Sequence, residues 1–252
     1  MYHASFEIDI VSALSEQLVE AFDKLTIGQL NTASVALLNR EQGVYQLFYN
    51  GALVYVGRAD NLNSRVSQHL TKIAGRQNIA TKDLGFKALY VHKNWTTLAP
   101  EDTLIKHFKA HGNGLCEWNG NGFGPHDPGR ERETTNKPID GFDAKYPIRH
   151  DWPCTWVDAK SWNVLQLLIA MKDELPFLLR YQTSDNPNVK VDYRKGHPDQ
   201  AACAVVVPST GMPADVLLGL AANALHGWQA TRFPSHLILY KESRAYAYGV
   251  KL

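Results

Sequence analysis

The sequence predicts an α+β protein: a small antiparallel sheet with helices packed around it, then a second α/β region. Three observations carry this. Residues 43–56, GVYQLFYNGALVYV, are two runs of aromatic and β-branched residues meeting at Asn50-Gly51, a dipeptide that favours a two-residue hairpin turn. Segments of helical period lie on either side of that hairpin. Residues 112–138, GNGLCEWNGNGFGPHDPGRERETTNKP, are so rich in Gly, Asn and Pro that they read as one long loop. A loop of that length in a compact protein is usually functional or disordered.

The elements follow in order. Residues 4–25 place Phe6, Ile10, Ala13, Leu14, Val19 and Phe22 at helical spacing and predict an amphipathic helix. GQLNTASVALLNREQG predicts a second, short helix. After the hairpin, DNLNSRVSQHLTKIAG reads as a helix with Asp60 or Asn61 as N-cap and Gly75 as its stop. GFKALYVHK is a third strand. APEDTLIKHFKAHGNG is a helix with Pro100 and Glu101 in its first turn. Beyond the loop come an apolar helix (SWNVLQLLIAMKDELPFLL), a strand (ACAVVVP), a helix (PADVLLGLAANALHGW) and a closing two-stranded pattern (SHLILYKESRAYAYGVKL). The expected organisation is an N-terminal helical segment over 1–30, a central domain over 31–150 and a C-terminal α/β domain over 151–252.

Composition narrows the function classes. With 44% hydrophobic and 20% charged residues the chain is of ordinary globular type, not a disordered one. No apolar run approaches the ~20 residues that span a bilayer, so no membrane partner is expected. The first residues lack the basic and apolar regions of a signal peptide. Three cysteines without C-x-x-C spacing suggest a reducing compartment, and a cytoplasmic protein is expected. The net charge is +1, distributed as −4 over 1–30, +4 over 31–150 and +1 over 151–252. The central segment is therefore mildly positive, which permits a nucleic-acid ligand without demanding one.

Polar residues fall at particular places on these elements. Tyr45 lies on the first hairpin strand and Tyr55 on the second, with Arg58 just after it. A two-residue turn at 50–51 pairs positions whose numbers sum to 101, so Tyr45 is expected opposite Val56 with Tyr55 one residue away. Arg65 and His69, four apart, share one face of the next helix. Glu101 opens the later helix and Asn119 sits in the loop. Phosphodiester cleavage calls for this kit: a base to activate water, a cation for the phosphate, and a carboxylate for a divalent metal. A lone Glu implies one metal ion, with Mg²⁺ keeping most of its waters. A phenol with pKa near 10 serves as a base only beside cations and a hydrogen-bonding His.

GVY…VYVG, then Arg-x-x-x-His on a helix, then Glu, then Asn, resembles the GIY-YIG nuclease superfamily. VYVGRA, SRVSQH, the Glu101 helix and WNGNGFGPHDPGR are most similar to the GIY-YIG type II restriction endonucleases, in particular the subgroup that cuts CCGCGG. The resemblance covers about residues 30–150. It implies a small nuclease domain around a three-stranded antiparallel sheet, and a metal-dependent DNA endonuclease of the restriction or phage-defence kind. By position it implies Tyr45 as general base, Tyr55 as a residue that positions the water or a phosphate oxygen, and Arg65 as the group stabilising the transferring phosphate. It implies His69 as the partner of the base, Glu101 as the single ligand of one Mg²⁺ or Mn²⁺ ion per active site, and Asn119 near the scissile phosphate. The substrate is expected to be double-stranded DNA, with a homodimer formed on it. Ile and Ile of the family name are Val44 and Val56 here. The tight turn between the tyrosines lacks the insertion that the restriction subgroup carries, so a recognition role for that insertion does not transfer.

Other residues have plainer readings. Arg58, His126, Arg130 and Arg132 are candidates for DNA contact, against a solvated surface as the alternative. His107 and His111, four apart, suggest a metal pair, but no Glu or Cys completes it. Trp152, Trp156 and Trp162 are expected in a core rather than stacked on bases. The C-terminal hundred residues, unexplained by the resemblance, leave a second reading open: a nucleic-acid-binding or defence-system regulatory protein whose main role lies in that part.

Overall fold

The computed structural model of the chain describes residues 10–91, 105–106, 116–123, 133–186, 188–189 and 191–252. The chain forms two compact units, Met1–Ala74 with Ile79–Gly124, and Gly75–Asn78 with Pro125–Leu252. Both are mixed α and β. Among the described residues no helix is long and apolar enough to cross a membrane.

The first unit is built on a four-stranded antiparallel sheet in the order β1-β4-β2-β3. Its strands are β1 (Gly28–Gln29), β2 (Gly43–Tyr49), β3 (Ala52–Ala59) and β4 (Leu84–Tyr90). One strand more than expected is present because the two-residue β1 pairs with the start of β4. Helices α1 (Ile10–Asp23), α2 (Thr32–Ala36) and α3 (Leu62–Ala74) complete it. The predicted N-terminal helix thus runs over its later part, residues 1–9 being outside the described set. Of the helix expected around Glu101, only Ile105 and Lys106 are described, and both are helical. The Asx cap of α3 is Asn61, whose Oδ1 accepts from the Ser64 amide at 3.0 Å.

The Asn-Gly turn forms as its sequence requires, with φ of 49° at Asn50 and 81° at Gly51, both in the left-handed region that this turn needs. The register beyond it differs from the simple sum rule. Tyr49 pairs with Ala52 and Phe48 with Leu53, but Leu47 pairs with Tyr55 and Tyr45 with Gly57. Val54 is the extra residue of a β-bulge. Side chains alternate faces along a strand, so one inserted residue exchanges the faces of everything after it. Without the bulge, Tyr45 and Tyr55 would point to opposite sides of the sheet. With it, Tyr45, Leu47, Tyr55 and Gly57 share the side that α3 covers. Val44, Phe48, Leu53 and Val56 take the other side, where they pack with Leu18 and Phe22 of α1 and with Cys116.

Strand β3 is at the end of the sheet order, and its outer edge is paired rather than open. The Cys116 amide donates to the Leu53 carbonyl at 3.2 Å and the Trp118 amide to the Val54 carbonyl at 3.0 Å. The Gly/Asn-rich loop expected from 113 onward therefore includes an ordered turn, residues 116–123, laid along the hairpin.

The second unit has a four-stranded sheet in the order β10-β8-β9-β6 and a separate pair, β5-β7. The strands are β5 (Lys160–Asn163), β6 (Leu178–Tyr181), β7 (Ala204–Val207), β8 (Gln229–Arg232), β9 (His236–Tyr240) and β10 (Val250–Lys251). β6 and β9 run parallel and the other pairs antiparallel. Helices α4 (Gly141–Lys145), α5 (Val164–Glu174), α6 (Pro198–Ala202) and α7 (Ala214–Asn223) lie between them. The long apolar segment expected as one helix divides in three. KSWN is a strand, Asn163 caps α5 by accepting from the Gln166 amide, and after Pro176 the chain returns as β6. The closing strands β9 and β10 are not paired with each other; β8 separates them. Trp152, Trp156 and Trp162 pack against the core around α5 and α7, as expected. Buried charges are paired: the Arg76 guanidinium donates to Asp143 at 2.8 Å, and Glu133 accepts from Arg180 and lies 3.2 Å from both His236 and Tyr240.

Candidate active site

The site forms where β2 and β3 meet α3. Leu62, Val66, His69 and Ile73 recur on one side of α3 and are buried against the sheet. His69 replaces an apolar residue in that stripe, and its ring is 3% exposed. Its Nε2 is 2.6 Å from the Tyr45 hydroxyl. Burial, then the charges of Lys72 and Arg65, lower the His69 pKa from 6.5 to about 3. The ring is therefore neutral at physiological pH. A hydrogen bond joins the Tyr45 hydroxyl and Nε2; in the tautomer with the proton on the other ring nitrogen, the phenol donates and Nε2 accepts.

Tyr45, Tyr55 and His69 form a triangle, with ring centres 6.0 Å apart between the tyrosines and 5.4 Å from each to His69. Both tyrosines are buried. Gly57, directly opposite Tyr45, makes the arrangement fit: a β-carbon there would stand 2.4 Å from the phenol oxygen. Its role is space and not backbone freedom, since its φ is not in the left-handed region.

The turn 116–123 closes the remaining side. Phe123, fully buried, stacks on the His69 ring at 4.8 Å and 16°. It also meets Tyr55 edge-on at 5.0 Å and Trp118 at 4.9 Å. Lys72, one turn beyond His69, donates from Nζ to the carbonyls of Phe123 at 2.8 Å and Gly122 at 3.4 Å, with its ammonium 5.0 Å from the Phe123 ring centre.

Of the sequence-predicted residues, the structure therefore gathers Tyr45, Tyr55 and His69. Arg65 is half-buried one turn before His69 on α3, with Nη1 donating to Gln68 at 3.1 Å. Arg58 pairs with Val44 in the ladder, which puts it on the sheet side away from the tyrosines. Asn119 is tied to backbone: Oδ1 accepts from the Val56 amide at 2.9 Å and Nδ2 donates to the Val56 carbonyl at 2.8 Å. That two-point clamp fixes the turn 116–123 to the strand between Tyr55 and Gly57. Glu101, His107, His111, His126, Arg130 and Arg132 lie outside the described residues. Gly57, Lys72 and Phe123 were not singled out from the sequence. Lys72 is three residues from His69, a spacing that puts them on neighbouring turns, and Phe123 is a lone aromatic in the run NGNGFG.

Residues 52–150 match the family model described as the Eco29kI GIY-YIG domain. Over those residues the chain is similar to a GIY-YIG domain. That domain is one of endonucleases, and the match takes in Tyr55, Arg65, His69, Glu101 and Asn119, with Tyr45 seven residues ahead of it. Among solved structures, the GIY-YIG N-terminal endonuclease domain of UvrC from Thermotoga maritima, bound to magnesium, is 21% identical. It covers 31% of this chain and 88% of its own, at a TM-score of 0.24. A tyrosine point mutant of the same domain, bound to its catalytic divalent cation, is 22% identical over 31% of this chain and 87% of its own, at a TM-score of 0.25. No curated protein matches the chain.

Two outcomes follow from this geometry. A His whose folded pKa lies below its unfolded value contributes stability that is complete above the unfolded pKa and is lost as pH falls. Between pH 6.5 and about 3 the unfolded chain takes up a proton that folded His69 does not. The stability difference between the wild type and His69→Gln should therefore change by up to about 1.4 kcal/mol per pH unit in that window, and stay level above it. Urea melts of both proteins at stepped pH measure this. Asn119→Ala removes both bonds to Val56 and should cost about 1–3 kcal/mol in the same assay.

Proposed function

We propose that the chain is a DNA endonuclease of the restriction or phage-defence type that hydrolyses phosphodiester bonds with Tyr45 as general base. The observation that supports this most is the 2.6 Å contact between the Tyr45 hydroxyl and a neutral, buried His69. A phenol alone is too weak an acid to be a good base near neutrality. A neutral imidazole at hydrogen-bond distance gives its proton a destination. As Tyr45 takes a proton from the attacking water, the phenolic proton moves along the hydrogen bond toward Nε2, a shift that the negative charge of the bound phosphate must assist because burial, Lys72 and Arg65 disfavour a charged His69. Arg65 supplies positive charge for the transferring phosphate, and Tyr55 orients the water or a phosphate oxygen.

A divalent metal belongs to this reading, held by Glu101. When bound, Mg²⁺ or Mn²⁺ supplies charge at the leaving oxygen. Among the described residues, the aromatic wall of Tyr45, Tyr55, His69 and Phe123 brings no carboxylate to add to Glu101, and such a site suits an ion whose shell is completed by waters and phosphate oxygens. If both strands of a duplex are cut, two such sites must meet the two strands, and a homodimer on DNA is expected.

The test is direct. Supercoiled plasmid and genomic DNA are incubated with the purified chain and Mg²⁺ or Mn²⁺, with an EDTA control, and the ends are sequenced. The expected products carry 5′-phosphate and 3′-hydroxyl ends at a recurring site, and EDTA suppresses them. A pure, folded protein that cuts no DNA with either ion overturns the proposal.

A further inference from the structure

We propose that Phe123 and Lys72 are positioning residues for the reaction, a clamp that keeps the His69 ring dry, neutral and turned with Nε2 toward the Tyr45 hydroxyl. The inference rests on the nuclease reading above and adds two residues to it.

The geometry is specific. Among the described residues, five bear on His69. Tyr45 faces it from β2 and Tyr55 from β3; Arg65 and Lys72 are on its own helix; Phe123 arrives from the turn 116–123. The tyrosines come from the sheet. Among the described residues, Phe123 is the one that covers a ring face with a near-parallel stack. Without it that face of the imidazole would meet water, and hydration favours the charged form of a histidine. Phe123 does not reach its place through the hairpin ladder. The turn is anchored at its start by the Asn119 clamp on Val56, and at its end by the two carbonyls that Lys72 holds. Lys72 thus acts twice. It fixes the backbone that carries Phe123, and its charge near His69 opposes a second positive charge on the ring.

A plain core reading of the same residues makes a different forecast. If Phe123 only fills volume and Lys72 only snorkels along its helix, substitution would alter stability but not the protonation of His69. Three variants of the full chain separate the two: Lys72→Met keeps the stem and removes the charge and donors, Lys72→Arg keeps charge and donors, and Phe123→Leu keeps apolar volume and removes the stack.

The first readout is the titration of His69 by histidine-selective NMR of the full chain, with no DNA or metal present, the His69 signal being assigned by its loss in His69→Gln. In the wild type His69 stays neutral through the folded range. In Lys72→Met and in Phe123→Leu its midpoint should rise by at least about one pH unit, a tenfold change in the protonation constant, while Lys72→Arg should keep wild-type behaviour. The second readout is the pH profile of single-turnover cleavage. In both altered variants the acid limb should move upward with the NMR midpoint, by the same one pH unit or more, while the rate at pH 8 stays level. If His69 remains neutral in folded Lys72→Met and Phe123→Leu, the proposal is overturned. A raised midpoint in a protein that cuts no DNA would uphold the clamp on His69 and remove the nuclease reading instead.

Discussion

Tyr45→Phe should abolish cleavage while leaving the fold in place. The substitution removes one oxygen from a ring that is 1% exposed and leaves every apolar contact of that ring intact. The lost oxygen is the one bonded to His69 Nε2 at 2.6 Å. General-base catalysis is worth about 10²–10⁴-fold, so single-turnover cleavage should fall by about that factor at saturating DNA and metal. DNA binding should change little, because the hydroxyl is buried and makes no part of a charged surface. The fold carries a smaller penalty. His69 Nε2 loses its hydrogen-bond partner Tyr45 in the interior, at a cost of about 1–3 kcal/mol, which a thermal or urea melt will show. A Tyr45→Phe protein that cuts within tenfold of the wild type would remove Tyr45 from the role of base. His69→Gln in the same background should then cause little further loss of rate if the two residues act as one proton path, because residues that act as a unit are not additive.

Much of this site is legible in the sequence, and the reasons for what is not are physical. The Asn50-Gly51 turn is encoded locally, since few residue pairs tolerate two successive left-handed conformations. The placement of Arg65 and His69 follows from helix period. The bulge at Val54 does not announce itself, because Val54 is an ordinary strand residue and β2 is buried on both sides, from Gly43 to Phe48. When α1 covers one face and α3 the other, alternation between polar and apolar residues vanishes, and with it the signal that sets register. The sum rule for a two-residue turn put the tyrosines on opposite faces, while their resemblance to a paired motif required them together. The bulge breaks the sum rule beyond Phe48 and brings the tyrosines together. In the second unit, Lys160–Asn163 and Gln229–Arg232 are strands of four residues with mixed composition. Their pairing partners, Ala204–Val207 and His236–Tyr240, carry the β-signal for them. Long-range pairing of that kind overrides local propensity.

Asn119 illustrates a different limit. Its place in the family order is readable, but its amide has the donor and acceptor of a backbone unit, and only the fold decides what it bonds. Here it meets the donor and acceptor of Val56, so it acts on the site by holding Phe123's turn beside the hairpin. Lys72 and Phe123 escape sequence reading for a related reason. A lysine in the last turn of a helix is common on dipole grounds, and a phenylalanine in a Gly/Asn run gives no indication of the ring on which it will stack.

Gly57→Ala should damage both the fold and the site. The added carbon would lie 2.4 Å from the Tyr45 oxygen, 2.5 Å from Cζ and 2.8 Å from Cε1, all well inside contact distance. The ring has no easy retreat. Tyr55 and His69 flank it, and Phe123 backs His69. Relief must come from a shift of the strand or of the phenol, and either one lengthens the bond to His69. Overpacking of this kind costs about 1–3 kcal/mol, and a displacement of about 1 Å in a reacting group lowers rate by about 10²-fold. Melts and single-turnover cleavage of Gly57→Ala should show both losses. A variant with wild-type melting and wild-type rate would mean that the phenol does not lie over Gly57. The cause can be isolated by repeating the substitution in a Tyr45→Phe background. The closest of the three clashes is with the oxygen that this background lacks, so Gly57→Ala should cost less there than in the wild type. A difference of about 0.5–1 kcal/mol would be typical of residues in contact. Equal costs in the two backgrounds would place the strain in the backbone of β3 and not against the tyrosine.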